Sequence, residues 1–260
     1  MSVAILGAGA IAGYVQEALA RQGHPVSAYL VRPARLGLPG RVARVCDLPV
    51  GTSLLVDCAG HDGLRAHGGE ALAAGLDVLT LSIGALAEED LARHLAEAAA
   101  AGGARLWLAS GAIGGLDALR AARAGGLEAV TYRGIKPPLG WRGSAAEDVM
   151  DLDAPGPDPV THFSGSAREA ALRYPRNANV AAAVALSGLG LDATRVALVA
   201  DPSAQGNRHE ITARGAFGEM RFEITGAPLP GNPRSSALAA MSLVAALDDP
   251  EKRICWSGQG

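Results

Sequence analysis

The sequence predicts an α/β chain: a doubly wound parallel sheet of the Rossmann type, then a second α+β domain with a mostly antiparallel sheet. Three observations carry this. Up to about residue 112, short apolar runs alternate with helical stretches, the pattern of a parallel sheet with helices on both faces. The chain opens on an apolar run followed at once by small residues, V-A-I-L-G-A-G-A-I-A over Val3–Ala12. Beyond Leu127, strand-like alternation recurs with few helices between, as in a sheet paired antiparallel and covered on one side. The expected division is 1–112 for the parallel domain and 113–231 for the second. Residues 232–260 supply a helix that packs back on the first domain, then a tail.

Val3–Leu6 reads as a buried strand. Gly7, Gly9 and Ala12 follow in the form G-x-G-x-x-A, which turns a strand tightly into a helix and brings backbone close to a pyrophosphate. Gly7 serves the turn, Gly9 the close approach, and Ala12, with Gly13, the packing of helix on sheet. A helix over about Ile11–Gln22 points its first amides at the phosphates. Gly7, Gly9, Ala10 and Ile11 are therefore the candidate nucleotide contacts. The bland alternative is a tight strand–helix turn with no ligand.

Gly23-His24-Pro25 turns the chain into a strand at Val26–Val31. An acidic residue commonly ends this strand and binds the ribose hydroxyls of NAD. Here the chain reads Leu30-Val31-Arg32-Pro33-Ala34-Arg35. Two arginines suit a 2′-phosphate, which a guanidinium binds in a fork, and this favours NADP over NAD. If they are solvated loop charges, both cofactors serve.

Arg41–Cys46 reads as a third strand and Ser53–Cys58 as a buried fourth. The latter runs into Ala59-Gly60-His61, a turn where a cofactor would cross the strand ends. His61 is either a cofactor neighbour or a surface residue at a helix start. Leu64–Ala74 is helical, Asp77–Ile83 a strand, and Glu88–Ala101 a helix with Leu91, Leu95 and Ala98 on one face. Arg105–Ala109 is the next strand. Ser110–Asp117, with three glycines, leaves backbone uncovered against a nicotinamide or a carboxylate, or serves as a hinge.

Leu127–Ile135 alternates as an open strand, and Lys136-Pro137-Pro138 stops it. Gly140–Pro159 is a long Gly/Pro/Asp-rich loop. A short strand at His162–Ser166 precedes a helix containing Ala167–Leu172. Val180–Leu189 is a helix of small residues. Thr194–Asp201, His209–Arg214 and Glu219–Thr225 are strands, the last with Met220, Phe222 and Ile224 on one face. Asn232-Pro233 reads as an N-cap and first turn of a helix running to about Leu247, with a loosely ordered tail at Asp248–Gly260.

Composition narrows the function classes. A net charge of −3 leaves no basic excess to draw nucleic acid or an anionic membrane. No apolar run spans a bilayer, and the N-terminus lacks the positive region of a signal peptide. Three scattered cysteines, Cys46, Cys58 and Cys255, imply no metal spacing and no disulfide framework. Together these favour the cytoplasm.

The best site for chemistry is Asn207-Arg208-His209-Glu210-Ile211. Alternation puts His209 and Ile211 on one face of a strand. An imidazole beside Asn207 can face an interdomain cleft, and its ordinary pKa of about 6.5 lets it exchange protons near neutrality. The alternative is a sheet-surface histidine with no partner.

Ser110–Leu119 (S-G-A-I-G-G-L-D-A-L), Lys136-Pro137-Pro138, Gly165–Glu169 (G-S-A-R-E), Asn177–Ala181 (N-A-N-V-A), Asp201-Pro202 with Asn207-x-His209, and Gly231-Asn232-Pro233 occur in that order. As a set they resemble the L-aspartate dehydrogenase family, over about residues 1–248. The resemblance implies oxidation of L-aspartate to iminoaspartate with NAD or NADP. The imine then gives oxaloacetate and ammonia, or feeds quinolinate synthesis toward NAD. It further implies His209 as the catalytic residue, Ala112 and Asn179 as cofactor contacts, and a homodimer. Many members carry an aspartate where this chain has Val31 and Arg32, a departure that points away from strict NAD use. A substrate with two carboxylates needs fixed donors or cations. Lys136, Arg168, Asn207 and the backbone amides near Ser110 and Ser166 are the candidates, with structural ion pairing the alternative for Lys136 and Arg168. Other readings are a two-domain reductase resembling dihydrodipicolinate reductase or homoserine dehydrogenase, and a non-catalytic dinucleotide sensor.

Overall fold

The computed structural model describes residues 2–247. Its first half is a six-stranded sheet: β1 (Val3–Leu6), β2 (Val26–Leu30), β3 (Arg41–Val42), β4 (Leu54–Asp57), β5 (Asp77–Thr80) and β6 (Leu106–Leu108). The order is β3-β2-β1-β4-β5-β6 and every pair is parallel. The helices are α1 (Ala10–Arg21), α2 (His61–Ala73) and α3 (Glu89–Gly102). Strand alternation divides the core between two faces. Ala4, Leu6, Leu55 and Val78 pack with Leu64 and Leu72 of α2 and with Leu91 and Leu95 of α3. Val3, Ile5, Leu54 and Val56 pack with Val15 and Leu19 of α1. The strand expected at Arg41–Cys46 is only two residues long. Val45–Asp47 forms a single 3-10 turn instead, closed by an Arg44–Asp47 ion pair at 2.7 Å.

The second half opens with α4 (Leu116–Gly125), where the sequence predicts no helix. Its buried residues Leu116, Leu119 and Ala122 do have helical spacing, hidden behind the glycine run that precedes them. A five-stranded sheet follows: β7 (Leu127–Lys136), β8 (Val160–Ser166), β9 (Arg195–Ala200), β10 (Asn207–Gly215) and β11 (Gly218–Gly226). Its order is β11-β10-β7-β9-β8, antiparallel at every pair except β7 with β9. The helices α5 (Ala167–Arg173) and α6 (Asn179–Ser187) lie between β8 and β9 in sequence and supply the crossover that a parallel pair demands. Together with α4 they contribute to one core with Val130, Tyr132, Leu198 and Ile211.

The N-cap expected at Asn232 is corrected. Gly231 takes φ +76° and reverses the chain, so that β12 (Pro228–Leu229) pairs with β13 (Asn232–Ser236). The helix, α7 (Ala237–Ala246), begins only after that hairpin. Leu243 and Leu247 share a core with Val15 and Leu19 of α1. The expected tail at 248–260, with Cys255, lies outside the described residues.

Candidate active site

The strands β1, β4 and β5 end together, and the loops that leave them build one edge. Gly7 leaves β1 with φ +103°, and a Cβ there would meet the Cys58 carbonyl and the Ala59 methyl at 3.2 Å. Glycine alone supplies both that conformation and that approach. Gly9 precedes α1 with open space where its Cβ would stand. No side chain caps α1 and no acidic residue occupies its first turn. The leading amides, at Ala10 and Ile11, are therefore left for an anion. Ala12, 1% exposed, packs beneath them against the sheet. These residues fit a dinucleotide's pyrophosphate.

Asp57 is buried at the end of β4. Its carboxylate accepts from Thr80 Oγ1 at 2.7 Å, Ser82 Oγ at 2.6 Å and the Ala59 amide at 2.9 Å. Burial raises its pKa, and these donors pull the other way. The bonds tie the loop after β4 to the loop after β5. They also explain why the strand expected to reach Ile83 stops at Thr80. Asn179, at the start of α6, meets this edge at His61 and Gly84.

No carboxylate stands at the end of β2. Arg32 is exposed and begins the turn Pro33–Arg35, with no ion pair among the described residues. Arg35 Nη1 donates to the Ala8 carbonyl at 3.2 Å and is thereby laid against the glycine loop.

The second sheet supplies the titratable groups. Register places His209 opposite Gly134. Tyr132, on the same face of β7, reaches His209 Nδ1 with its hydroxyl at 2.7 Å, the rings inclined by 20°. Gly134 makes room for this, because a Cβ there would meet the Tyr132 hydroxyl at 2.8 Å. Tyr132 is 1% exposed and His209 4%. Nε2 of His209 has no hydrogen-bond partner among the described residues.

Lys136 comes next on that face of β7. Its Nζ donates to Asn177 Oδ1 at 2.7 Å and lies 4.6 Å from the centre of the Trp141 ring. Burial lowers its pKa to about 8. Burial first, then the charge on Lys136, lower His209 to about 4. At neutral pH the site therefore holds a cation beside a neutral imidazole. Asn207 shares His209's face and lies at the level of Lys136, since Arg208 between them in register pairs with Ile135.

A bulge in β8 adds a second imidazole. Thr161 pairs with Val199 and Phe163 with Leu198, leaving His162 as the extra residue. Its ring meets Trp141 edge-on at 4.5 Å, and Nδ1 lies 3.2 Å from the Tyr174 hydroxyl. Burial, then Lys136 and Arg173, lower its pKa to about 4.

Two residues expected to bind substrate do other work. Ser166 caps α5: its Oγ accepts from the Glu169 amide at 3.2 Å, and the Glu169 carboxylate accepts from the Ser166 amide at 2.7 Å. Arg168 grips Asp192 in a fork at 2.6 and 2.8 Å and donates to the Ala87 carbonyl at 2.7 Å. Register gives the reason. Lys136 pairs with Ala200 but Ser166 with Arg195, so the two lie at opposite ends of β9, roughly 17 Å apart along the strand. The glycine loop after β6 is also more covered than expected. A Cβ at Gly114 would meet Phe222 at 2.8 Å, and one at Gly115 would meet it at 3.5 Å. The Ala112 side chain turns into the second core.

Tyr132, Gly134, Trp141, Asn177, His162 and Asp57 escaped the sequence reading. A signal existed for Tyr132 and Gly134. The alternation that places His209 also places residues 132, 134 and 136 on one face of β7.

Residues 117–249 match the family model described as aspartate dehydrogenase, C-terminal, and residues 7–109 that of the homoserine dehydrogenase NAD binding domain. The L-aspartate dehydrogenase of Ruegeria pomeroyi is 59% identical over 251 residues, covering 94% of this chain and 90% of the relative. That of Pseudomonas aeruginosa is 46% identical over 260 residues, covering 95% and 96%. The crystal structure of aspartate dehydrogenase from Thermotoga maritima superposes with a TM-score of 0.78 at 26% identity, covering 98% of this chain and 99% of its own. A hyperthermophilic archaeal homoserine dehydrogenase in complex with NADPH shares the fold alone, with a TM-score of 0.54 at 12% identity. Because the likeness runs from the first strand to the last helix, well past the nucleotide-binding half that many dehydrogenases share, the chain belongs to the L-aspartate dehydrogenase family and carries an NAD(P)-binding domain in its N-terminal half.

Proposed function

We propose that this chain oxidises L-aspartate with NAD(P)+ to iminoaspartate, which water then converts to oxaloacetate and ammonia. In this reading His209 is the catalytic base, and Lys136 and Asn207 receive the substrate's carboxylates. Gly7, Gly9, Ala10, Ile11, Ala112 and Asn179 hold the cofactor. Arg32 meets a 2′-phosphate, which makes NADP the preferred form. The carrying observation is the buried His209–Tyr132 pair beside Lys136.

The nicotinamide, when bound, supplies the acceptor for the hydride leaving Cα of aspartate. The chain's own residues manage the protons. An ammonium group cannot donate electrons to the forming C=N bond until it loses a proton, so a base must stand at the amine. The tautomer this role requires has Nδ1–H donating to the Tyr132 oxygen, which leaves the Nε2 lone pair of His209 for that proton. Burial first, and the charge on Lys136 with it, depress the basicity of His209 in the free protein. An arriving dicarboxylate offsets that charge and raises the basicity when the base is needed. Once it has released that proton to solvent, the same imidazole takes a proton from the water that attacks the imine. Trp141 and Asn177 hold the ammonium of Lys136 in place for a carboxylate.

The division at about residue 112, a homodimer and a cytoplasmic location belong to the same proposal; the first rests on the change in strand pattern, the second on the family resemblance and the third on composition. Initial rates of cofactor reduction with L-aspartate, D-aspartate and L-glutamate, each against NAD+ and NADP+, test it. L-Aspartate alone should support turnover, faster with NADP+ at low cofactor concentration. H209A should abolish most of that turnover while still binding NADPH. No aspartate-dependent reduction with either cofactor would end the reading.

A further inference from the structure

His61 begins α2 at the edge where the strands of the first sheet end, and Asn179 begins α6 in the other half of the chain. Their side chains meet, His61 Nε2 lying 2.8 Å from Asn179 Oδ1. The backbone amide of Gly84 reaches the same oxygen, also at 2.8 Å. Gly84 has no room for a side chain: a Cβ there would stand 3.0 Å from Asn179 Oδ1 and 3.0 Å from His61 Cε1. Three segments far apart in sequence thus converge on one carboxamide oxygen.

The chemistry of this junction is determined by its one unambiguous member. A backbone N–H can only donate, so the atom facing Gly84 is the oxygen of the amide and not its nitrogen. His61 must then present Nε2–H to share that oxygen. With Oδ1 engaged by two donors, the Asn179 side chain cannot flip, and Nδ2 is the group it has left to offer. That nitrogen has no hydrogen-bond partner among the described residues.

We infer that His61 is a positioning residue for the cofactor: it clamps Asn179 so that this side chain presents a donor, Nδ2–H2, to an acceptor on the dinucleotide. The inference rests on the reading of Asn179 as a cofactor contact. It explains why a histidine stands at an exposed helix start and why residue 84 carries no side chain. It also gives the cofactor contact of the second half a fixed orientation taken from the first.

The test is fluorescence titration of the full-length protein with NADPH, alongside steady-state kinetics with L-aspartate. H61L and the shorter H61N remove the clamp, and each should weaken NADPH binding about tenfold, the worth of one oriented hydrogen bond. The loss should fall on KM for the cofactor more than on kcat. H61Q, whose amide carries an N–H at similar reach, should recover most of the affinity. N179A should weaken binding as much as the loss variants, and H61N/N179A should be no weaker than N179A alone. If N179A weakens binding but H61L and H61N do not, the clamp is refuted while the cofactor site stands. If H61Q is as weak as H61N, donation by residue 61 is refuted. If N179A binds NADPH like the wild type, the cofactor reading itself fails.

Discussion

Replacing Tyr132 by phenylalanine removes one oxygen atom and tests the proposed base at its support. The hydroxyl lies 2.7 Å from His209 Nδ1, and both residues are buried. Without it, Nδ1 loses its only described partner and is too enclosed to gain water freely. Leaving such a group unpaired costs about 1–3 kcal/mol. In a chain of this length that is a fall in Tm of about 2–10 °C. The effect on catalysis is separate. A general base contributes about 10²- to 10⁴-fold, and losing its orientation and tautomer but not the imidazole should cost part of that, about tenfold to a hundredfold in kcat. Steady-state rates with L-aspartate at saturating NADP+ read the second effect, and a thermal melt reads the first. Affinity for NADPH should stay close to wild type, because the glycine edge is untouched. G134A provides an independent arm, since its methyl would displace the Tyr132 hydroxyl while keeping the tyrosine. Wild-type kcat in Y132F, with Tm lowered, would show that the hydroxyl only fills space and would refute the support of His209.

Acid should destabilise the protein through its two buried imidazoles. His209 and His162 both fall from 6.5 to about 4. Their native pKa values lie below the unfolded ones, so stability is whole above about pH 6.5 and is lost as pH drops toward 4, by up to roughly 3 kcal/mol for each. Urea unfolding at pH 7.5 and pH 5 should show this, and H162Q should lessen the difference. At the alkaline end, kcat/KM should fall as pH rises through about 8, where Lys136 loses its charge. K136M should raise KM for L-aspartate about tenfold to a hundredfold and abolish that alkaline limb in a pH–rate profile. R168A should lower Tm by a few degrees while leaving KM for L-aspartate unchanged, since Arg168 binds Asp192 and the Ala87 carbonyl. A large KM effect would return it to the substrate site. R32A should raise KM for NADP+ and spare that for NAD+, as measured by initial rates with each cofactor.

The features legible in the chain are those that depend on a few neighbouring residues. The turn at Gly7 is a demand on one φ angle, met by glycine. The doubly wound sheet follows from apolar runs alternating with helical periods. Strand alternation put His209 on the face it shares with buried Ile211. The Ser166–Glu169 capping box is also legible as S-x-x-E, a local pattern that competes with the reading of Ser166 as a substrate donor. Asn232 is ambiguous for a related reason, because a cap residue followed by proline looks the same whether a helix or a hairpin comes next.

Tertiary structure alone decided what stands beside what. His209 finds Tyr132 across 77 residues, and His61 finds Asn179 across 118. Lys136 and Ser166 part company through the register of β9, which no local pattern specifies. Arg168 became a structural tie because Asp192 lay within reach of its guanidinium. Backbone preference and side-chain period are properties of a short segment. Partnership between distant polar groups depends on how segments are paired and stacked, and that arises only when the whole core closes.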